Sequence, residues 1–428
     1  MIIANTPPKG TADWFPEEYK VRKHIFDTWR RVCLSYWFEE YLGPLVESTD
    51  IWKAKSGEDV GGSELTQITN RDGVVDKLAL RPEMTPSVTR MVSRKWKEID
   101  KPVKWFSIAN FYRNEKPQKG RNREFWQLNA DIFGEAGVNA DSEILTLSLE
   151  LMRAFNAPAW SYKLKLNHRG VINDFFDLVL DIQDETVKRD LMRLLDKYAK
   201  LKKEVFSEEL SKLWLSGEEK IIHDFMSAKT LQDLQEGFVL LAWSQSFQEF
   251  SSIMQSLVDL WYSDEIEFSG DLIRGFDYYD WVIFEVFDTN PDNPRALYGW
   301  GRYNGLAGIF WVKEDIPAIG FAPGDETMKL FLEGHWLLEE IQNSVTEKYY
   351  LPLLDETLFT EIQKLANILR LEGKDVNVGL SVKKLPKAIK YADKNNYSHV
   401  AILGLDENES WEYLVKNLKS GEEKNLTL

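Results

Sequence analysis

Residues 105–134 read WFSIANFYRNEKPQKGRNREFWQLNADIFG, and no other stretch of this chain constrains its fold so tightly. Two aromatic-rich apolar runs flank a short segment that carries Lys116, Lys119, Arg121 and Arg123. Asn114 with Glu115, and Pro117 with Gln118, break the apolar pattern between them, which predicts an antiparallel hairpin with a long basic loop. Arg113 ends the first strand. Gln127, Asn129 and Asp131 follow at period two on the second and therefore share one sheet face. A guanidinium, an amide and a carboxylate on one face suit a polar small-molecule pocket, and the loop suits phosphate or nucleic acid. A solvated hairpin with a charged tip satisfies the same spacing.

A chain of 428 residues implies two to three domains. Its apolar fraction of 43% is enough for well-packed cores, and 29% charged residues is ordinary for a water-facing protein. No run approaches the roughly 20 apolar residues that a membrane span needs. The start, MIIANTPPKGTADW, lacks the basic-then-apolar layout of a signal peptide. Cys33 is the only cysteine, which excludes an intramolecular disulfide, a thiolate zinc site and a CxxC redox pair. The histidines are scattered and form no HExxH-like pair. A reducing cytoplasm and a metal-independent scaffold are expected, with no membrane partner. The net charge of −16 argues against indiscriminate nucleic-acid binding, while leaving room for RNA at a local basic patch.

Along the chain, residues 17–36 predict a long helix with an apolar stripe of Val21, Ile25, Trp29, Val32 and Tyr36. Short strands are expected at 61–69 and 75–80, a helix at 86–96, and after the hairpin a helix over 141–154 with Asp141 as its N-cap. Residues 173–262 are charged, helical in pattern and glycine-poor, which reads as a helical insertion. Strand patterns return in VIFEVFD, RALYGWGRY and IPAIGFAPG, followed by a helix from DETMKLFLEGH. The last 80 residues or so alternate strand and helix and end in a hairpin, the pattern of a small α/β domain.

Six segments in order, KGTADWFPEE, the long helix ending at Gly43 and Pro44, LRPEMTP, the hairpin, LIRGFDYYD, and YGWGRYNGL with AIGFAPGDE, resemble those of histidyl-tRNA synthetases, a family of class II aminoacyl-tRNA synthetases. The C-terminal segment containing LSVKKLPKAIKYADK resembles that family's anticodon-binding domain. The resemblance implies an α+β fold with an antiparallel catalytic sheet. It implies a catalytic domain over 1–340 that contains the helical insertion 173–262, and an α/β anticodon-binding domain over 346–428. It also implies activation of histidine with ATP and Mg2+, transfer to tRNA(His), and a homodimer joined around residues 21–48.

By the same resemblance, Arg113 and Arg274 would be the catalytic cations. Arg113, Glu115 and Phe125 would bind ATP. Glu83, Thr85, Gln127, Asp131, Arg274, Tyr278 and Tyr279 would bind histidine, and Gln118 and Arg121 would meet the tRNA. Tyr303 and Asn304 could equally be core packing and turn. Two other readings stay open: a catalytically silent regulatory paralogue of the kind that partners ATP phosphoribosyltransferase, and a tRNA-binding scaffold without ligase activity.

Two departures from the family pattern accompany it. Thr327 stands where class II synthetases carry an arginine for the γ-phosphate of ATP, next to Asp325 and Glu326, with Lys329 as a possible substitute. In addition, Trp37, Trp281, Trp300, Trp311 and Trp411 fall where the family pattern or turn chemistry would place glycine. There are 25 glycines against the roughly 30 that average usage would give, and 16 tryptophans. A gene whose UGA codons specify glycine, read with UGA as tryptophan, would produce that pattern; an aromatic-rich chain with well-packed rings is the alternative.

Overall fold

The hairpin belongs to the larger of two units. Val103–Tyr112 and Glu124–Phe133 pair antiparallel from Val103 opposite Phe133 to Tyr112 opposite Glu124. The computed structural model describes residues 4–53, 64–198, 201–273, 281–310, 312–338, 347–405, 408 and 412–427. By contacts the chain separates into Met1–Leu338 and Glu339–Leu428.

In the first unit the hairpin belongs to an eight-stranded sheet. In spatial order its strands are Glu39–Glu40, Val103–Tyr112, Glu124–Phe133, Ala318–Phe321, Ala296–Arg302, Val282–Asp288, Tyr162–His168 and Ile266–Phe268. The two short edge strands run parallel to their neighbours, and every other pairing is antiparallel. Both faces of Glu124–Phe133 are covered. Leu128, Ala130 and Ile132 are buried on one side, and Gln127, Asn129 and Asp131 on the other. Gly320 lies opposite Asp131, where a Cβ would come within 2.2 Å of Asp131 Oδ1. Only glycine leaves room for that carboxylate.

The first helix is Pro16–Ser35; it buries Val21, Ile25, Trp29 and Val32 as the stripe predicts, while Tyr36 becomes its C-cap. A three-stranded sheet of Val46–Ser48, Val75–Leu80 and Gln67–Thr69 leads to the helix Thr85–Lys95. The next helix, Val138–Arg153, starts earlier than expected: Gly137 is its N-cap, and Asp141 lies in its first turn. Asp141 is not a cap because Arg302 takes both its oxygens, at 2.8 and 2.9 Å.

The expected insertion is helical, with helices including Glu185–Leu195, Lys203–Lys212, Glu219–Ser227 and Gln245–Asp259. Three of its helices are capped by Asp184, Thr230 and Ser244, whose side chains accept backbone N–H groups. Phe175 stacks on Phe225 at 4.1 Å in its interior.

The second unit has a five-stranded sheet in the order Asp375–Val378, Lys348–Leu351, His399–Ile402, Glu412–Asn417, Glu423–Thr427. Its first three strands are parallel, and the last two form the expected hairpin. Period two sorts its core. Tyr349, Leu351 and Ala401 pack with the helix Phe359–Leu371, whereas Tyr350, Val400 and Ile402 pack with Leu385–Lys394.

Candidate active site

At the loop end of the hairpin lies a cavity of about 370 Å³. The hairpin contributes Arg113, Glu115, Arg121, Phe125 and Gln127 to it. Glu285, Tyr298 and Gly299 come from the neighbouring strands, and Gly324 to Thr327 from the turn that opens the helix Asp325–Gly334. The strand order explains the arrangement: Ala318–Phe321 lies beside the hairpin, so the turn that follows it falls across the hairpin's mouth. Leu128 N donates to Pro323 O at 3.0 Å and Trp126 N to Asp325 Oδ1 at 2.9 Å, which stitches that turn to the second hairpin strand.

Arg113 Nε donates to Pro82 O at 3.0 Å, and its guanidinium lies 5.2 Å from the Phe125 ring centre. A planar, permanently charged group is thereby held against an aromatic ring at the cavity wall. Glu115 pairs with Arg121 at 3.0 Å; burial raises its carboxyl while Arg121 pulls it back. Gln127 Nε2 donates to Ala322 O at 3.0 Å, and its Oε1 is buried with no partner among the described residues. That oxygen is an acceptor available to an ammonium group.

Sequence reasoning missed the support behind the cavity. Arg22, buried on the first helix, pairs with Asp325 at 2.5 Å and lies 3.6 Å from Glu326. The Trp14 ring covers it at 3.5 Å. Burial raises the Asp325 carboxyl to about 6 against the opposing pull of Arg22. The signal was present: Arg22 sits at helical spacing from Ile25 and Trp29, within the apolar stripe, where a charged residue needs a buried partner.

The other expected residues divide. Glu83, Thr85 and Asp131 are buried but are not among the residues lining the cavity. Asp131 Oδ1 accepts the Tyr303 hydroxyl at 2.5 Å, and Asn304 Oδ1 accepts Ala318 N at 3.0 Å. Gln118 takes a hydrogen bond from Arg295 at 2.7 Å, so the loop tip is tied back, with Lys116 and Lys119 left exposed. Arg274, Tyr278, Tyr279, Trp311 and Trp411 lie outside the described residues. Thr327 Oγ1 donates to Leu297 O at 2.8 Å, which fixes the turn without supplying a cation. Lys329 is directed to Glu333, at 3.7 Å, and to the Trp14 ring, at 5.3 Å, and is not part of the cavity lining.

A largely antiparallel sheet whose hairpin, glycine-bearing neighbour strands and following helix enclose an arginine-lined cavity is the catalytic fold of a class II aminoacyl-tRNA synthetase. The family profile described as Histidyl-tRNA synthetase matches residues 10–326, and the chain belongs to that family. A histidine–tRNA ligase of Leptospira biflexa is 36% identical over 414 residues, which cover 96% of this chain and 93% of the relative. One from Haloarcula marismortui is 31% identical over 431 residues, covering 98% and 95%. Among solved structures, histidyl-tRNA synthetase from Nostoc sp. PCC 7120 superposes with a TM-score of 0.82 at 21% identity, covering 100% of this chain and 97% of that one. An ATP phosphoribosyltransferase regulatory subunit/histidyl-tRNA synthetase from Bacillus halodurans gives 0.74 at 22% identity, covering 94% and 99%. At those identities the two structures bear on the fold alone. Among the described residues no helix is long and apolar enough to cross a membrane.

Proposed function

We propose that the chain is a histidine–tRNA ligase. A histidine carboxylate oxygen attacks the α-phosphorus of ATP, the bond to the β-phosphoryl oxygen breaks, and pyrophosphate leaves with that electron pair. A hydroxyl of the terminal ribose of tRNA(His) then attacks the acyl carbon and displaces AMP. No protein nucleophile is needed; the work is alignment and stabilisation of charge on the transferring group.

The observation that carries this reading is the cavity wall, where Arg113, Glu115, Phe125 and Gln127 come together from one hairpin. Arg113 is assigned to the α-phosphate, Phe125 and Glu115 to the nucleotide, and Gln127 Oε1 to the histidine ammonium. Glu83, Thr85 and Asp131, with Arg274, Tyr278 and Tyr279, complete the histidine side of the assignment. Gln118 and Arg121 are assigned to the acceptor end, and residues 346–428 to the anticodon. Magnesium suits the donors: Glu285 and Glu326 offer hard carboxylate oxygens, and this metal commonly takes one or two carboxylates plus substrate phosphates. When bound it would neutralise phosphate charge.

Charging of tRNA(His) with labelled histidine tests the proposal. Expected is histidine-specific charging that Arg113→Ala lowers by about 10²–10³-fold. A folded chain that binds tRNA without charging it would favour the scaffold reading, and one that does neither would favour the regulatory paralogue.

A further inference from the structure

Among the described residues, seven that are not glycine have positive φ: Asn156, Asp181, Asn396, and four tryptophans, Trp37, Trp214, Trp261 and Trp336. Asparagine and aspartate tolerate the left-handed region because their short polar side chains bond locally; a bulky ring has no such help. Each tryptophan occupies the same point, immediately after the C-cap of Pro16–Ser35, Lys203–Lys212, Gln245–Asp259 or Asp325–Gly334. In each case the next N–H closes over the helix end. Phe38 N donates to Cys33 O at 3.1 Å, Leu215 N to Leu210 O at 3.0 Å, Tyr262 N to Leu257 O at 3.0 Å, and Leu337 N to Leu332 O at 2.9 Å.

That closure ordinarily places glycine at its left-handed position. This chain also makes it with glycine, where Lys374 N donates to Leu369 O at 3.0 Å after Gly373, at φ +81°.

Nothing in the packing offsets the strain. The four residues are 87%, 92%, 85% and 77% exposed, and none makes a ring contact among the described residues. Other tryptophans are built into the molecule: Trp29 and Trp52 are fully buried, and Trp126 lies 5.2 Å from Phe26. Among the described tryptophans these four alone have left-handed backbone; Trp160 and Trp243 are exposed too, at 68% and 81%, but on backbone that any residue adopts.

We propose that residues 37, 214, 261 and 336 are glycines in the protein as its source cell makes it, encoded by UGA codons that the cell reads as glycine. UGG and UGA both become tryptophan under a code that reads UGA as tryptophan, so true tryptophans and displaced glycines carry the same letter. This accounts at once for the rings that are packed and for the four that sit on strained backbone. Residue 37 stands out in the sequence as well, at the expected left-handed end of the long helix; the other three emerge from backbone geometry alone. Trp281 does not share the left-handed backbone, and its ring lies 5.9 Å from His168, so its position does not call for glycine.

The unaltered gene, expressed in a host that stops at UGA, should yield no product beyond Tyr36; full-length protein overturns the proposal. Peptide mass spectrometry of the protein from its source cells should find glycine at 37, 214, 261 and 336, and tryptophan at 29, 52 and 126. Tryptophan at the four sites overturns it. The chain carrying Trp37→Gly, Trp214→Gly, Trp261→Gly and Trp336→Gly should melt higher than the tryptophan form by about 2 °C per site. Alanine at the same sites keeps the strain and should recover little. Equal melting of the glycine and alanine forms would contradict the strain argument.

Discussion

Gln127 shows how one side chain serves two masters at the cavity wall. Its amide N–H holds Ala322 O while Oε1 is buried without a partner among the described residues. Gln127→Ala should raise KM for histidine about tenfold or more and leave KM for ATP nearly unchanged, because a lost acceptor for an ammonium removes binding energy from the amino acid alone. Steady-state pyrophosphate exchange at varied histidine measures it, and an equal change in both KM values would refute the assignment. His168 gives a test by pH. Burial, with Arg302 adding to it, lowers its pKa from 6.5 to about 4, so the folded state keeps it neutral. The unfolded chain takes up the proton first as pH falls through 6.5, so stability is lost from there down towards about 4. Urea titrations at pH 7 and 4.5 should show His168→Asn losing about 2–3 kcal/mol less than the parent over that interval. Equal losses would place the titrating group elsewhere.

Elements are held together here by buried charge pairs between distant parts of the chain. The Arg22–Asp325 pair ties the first helix to the turn at the cavity, with Trp14 laid over the guanidinium. Arg22→Met leaves a buried carboxylate unpaired and should cost about 3–5 kcal/mol. Asp325→Asn keeps an acceptor for Trp126 N, and the double variant should recover about 2 kcal/mol relative to the sum of the singles. Strict additivity in denaturant titrations would rule out the coupling. Because burial already lifts Asp325 to about 6, the Arg22→Met deficit should grow as pH rises through that value.

The same pairs mark where sequence reading stopped. The hairpin, the first helix and the insertion were legible because each rests on local periodicity and turn residues. Asp141 was read as a cap because an acid at a helix start ordinarily is one; its partner Arg302 lies 161 positions on, which no local pattern reveals. Trp214, Trp261 and Trp336 were equally opaque, since a left-handed backbone leaves no trace in letters unless the letter is glycine. The cavity residues of the hairpin were legible only through family resemblance, because spacing alone fits a solvated tip equally well.

At the scale of the whole molecule, Leu34, Leu42, Leu45 and Val46 are exposed apolar residues within the segment assigned to subunit pairing. Water-facing apolar side chains this close in sequence are what a subunit contact would cover. The chain should sediment as a dimer at micromolar concentration, and Leu42→Asp should shift it towards monomer; a monomeric parent would contradict the assignment. The proposed function assigns activation to the first unit, and that assignment leads to the most direct test. Histidine-dependent exchange of labelled pyrophosphate into ATP should be measured on the chain carrying glycine at 37, 214, 261 and 336, so that strain is not mistaken for inactivity. Exchange that requires histidine, and that falls about 10²–10³-fold in Arg113→Ala, is the predicted result. A cooperatively folded chain that gives no exchange would contradict the account, and would show that the turn held by Thr327 does not support ATP chemistry.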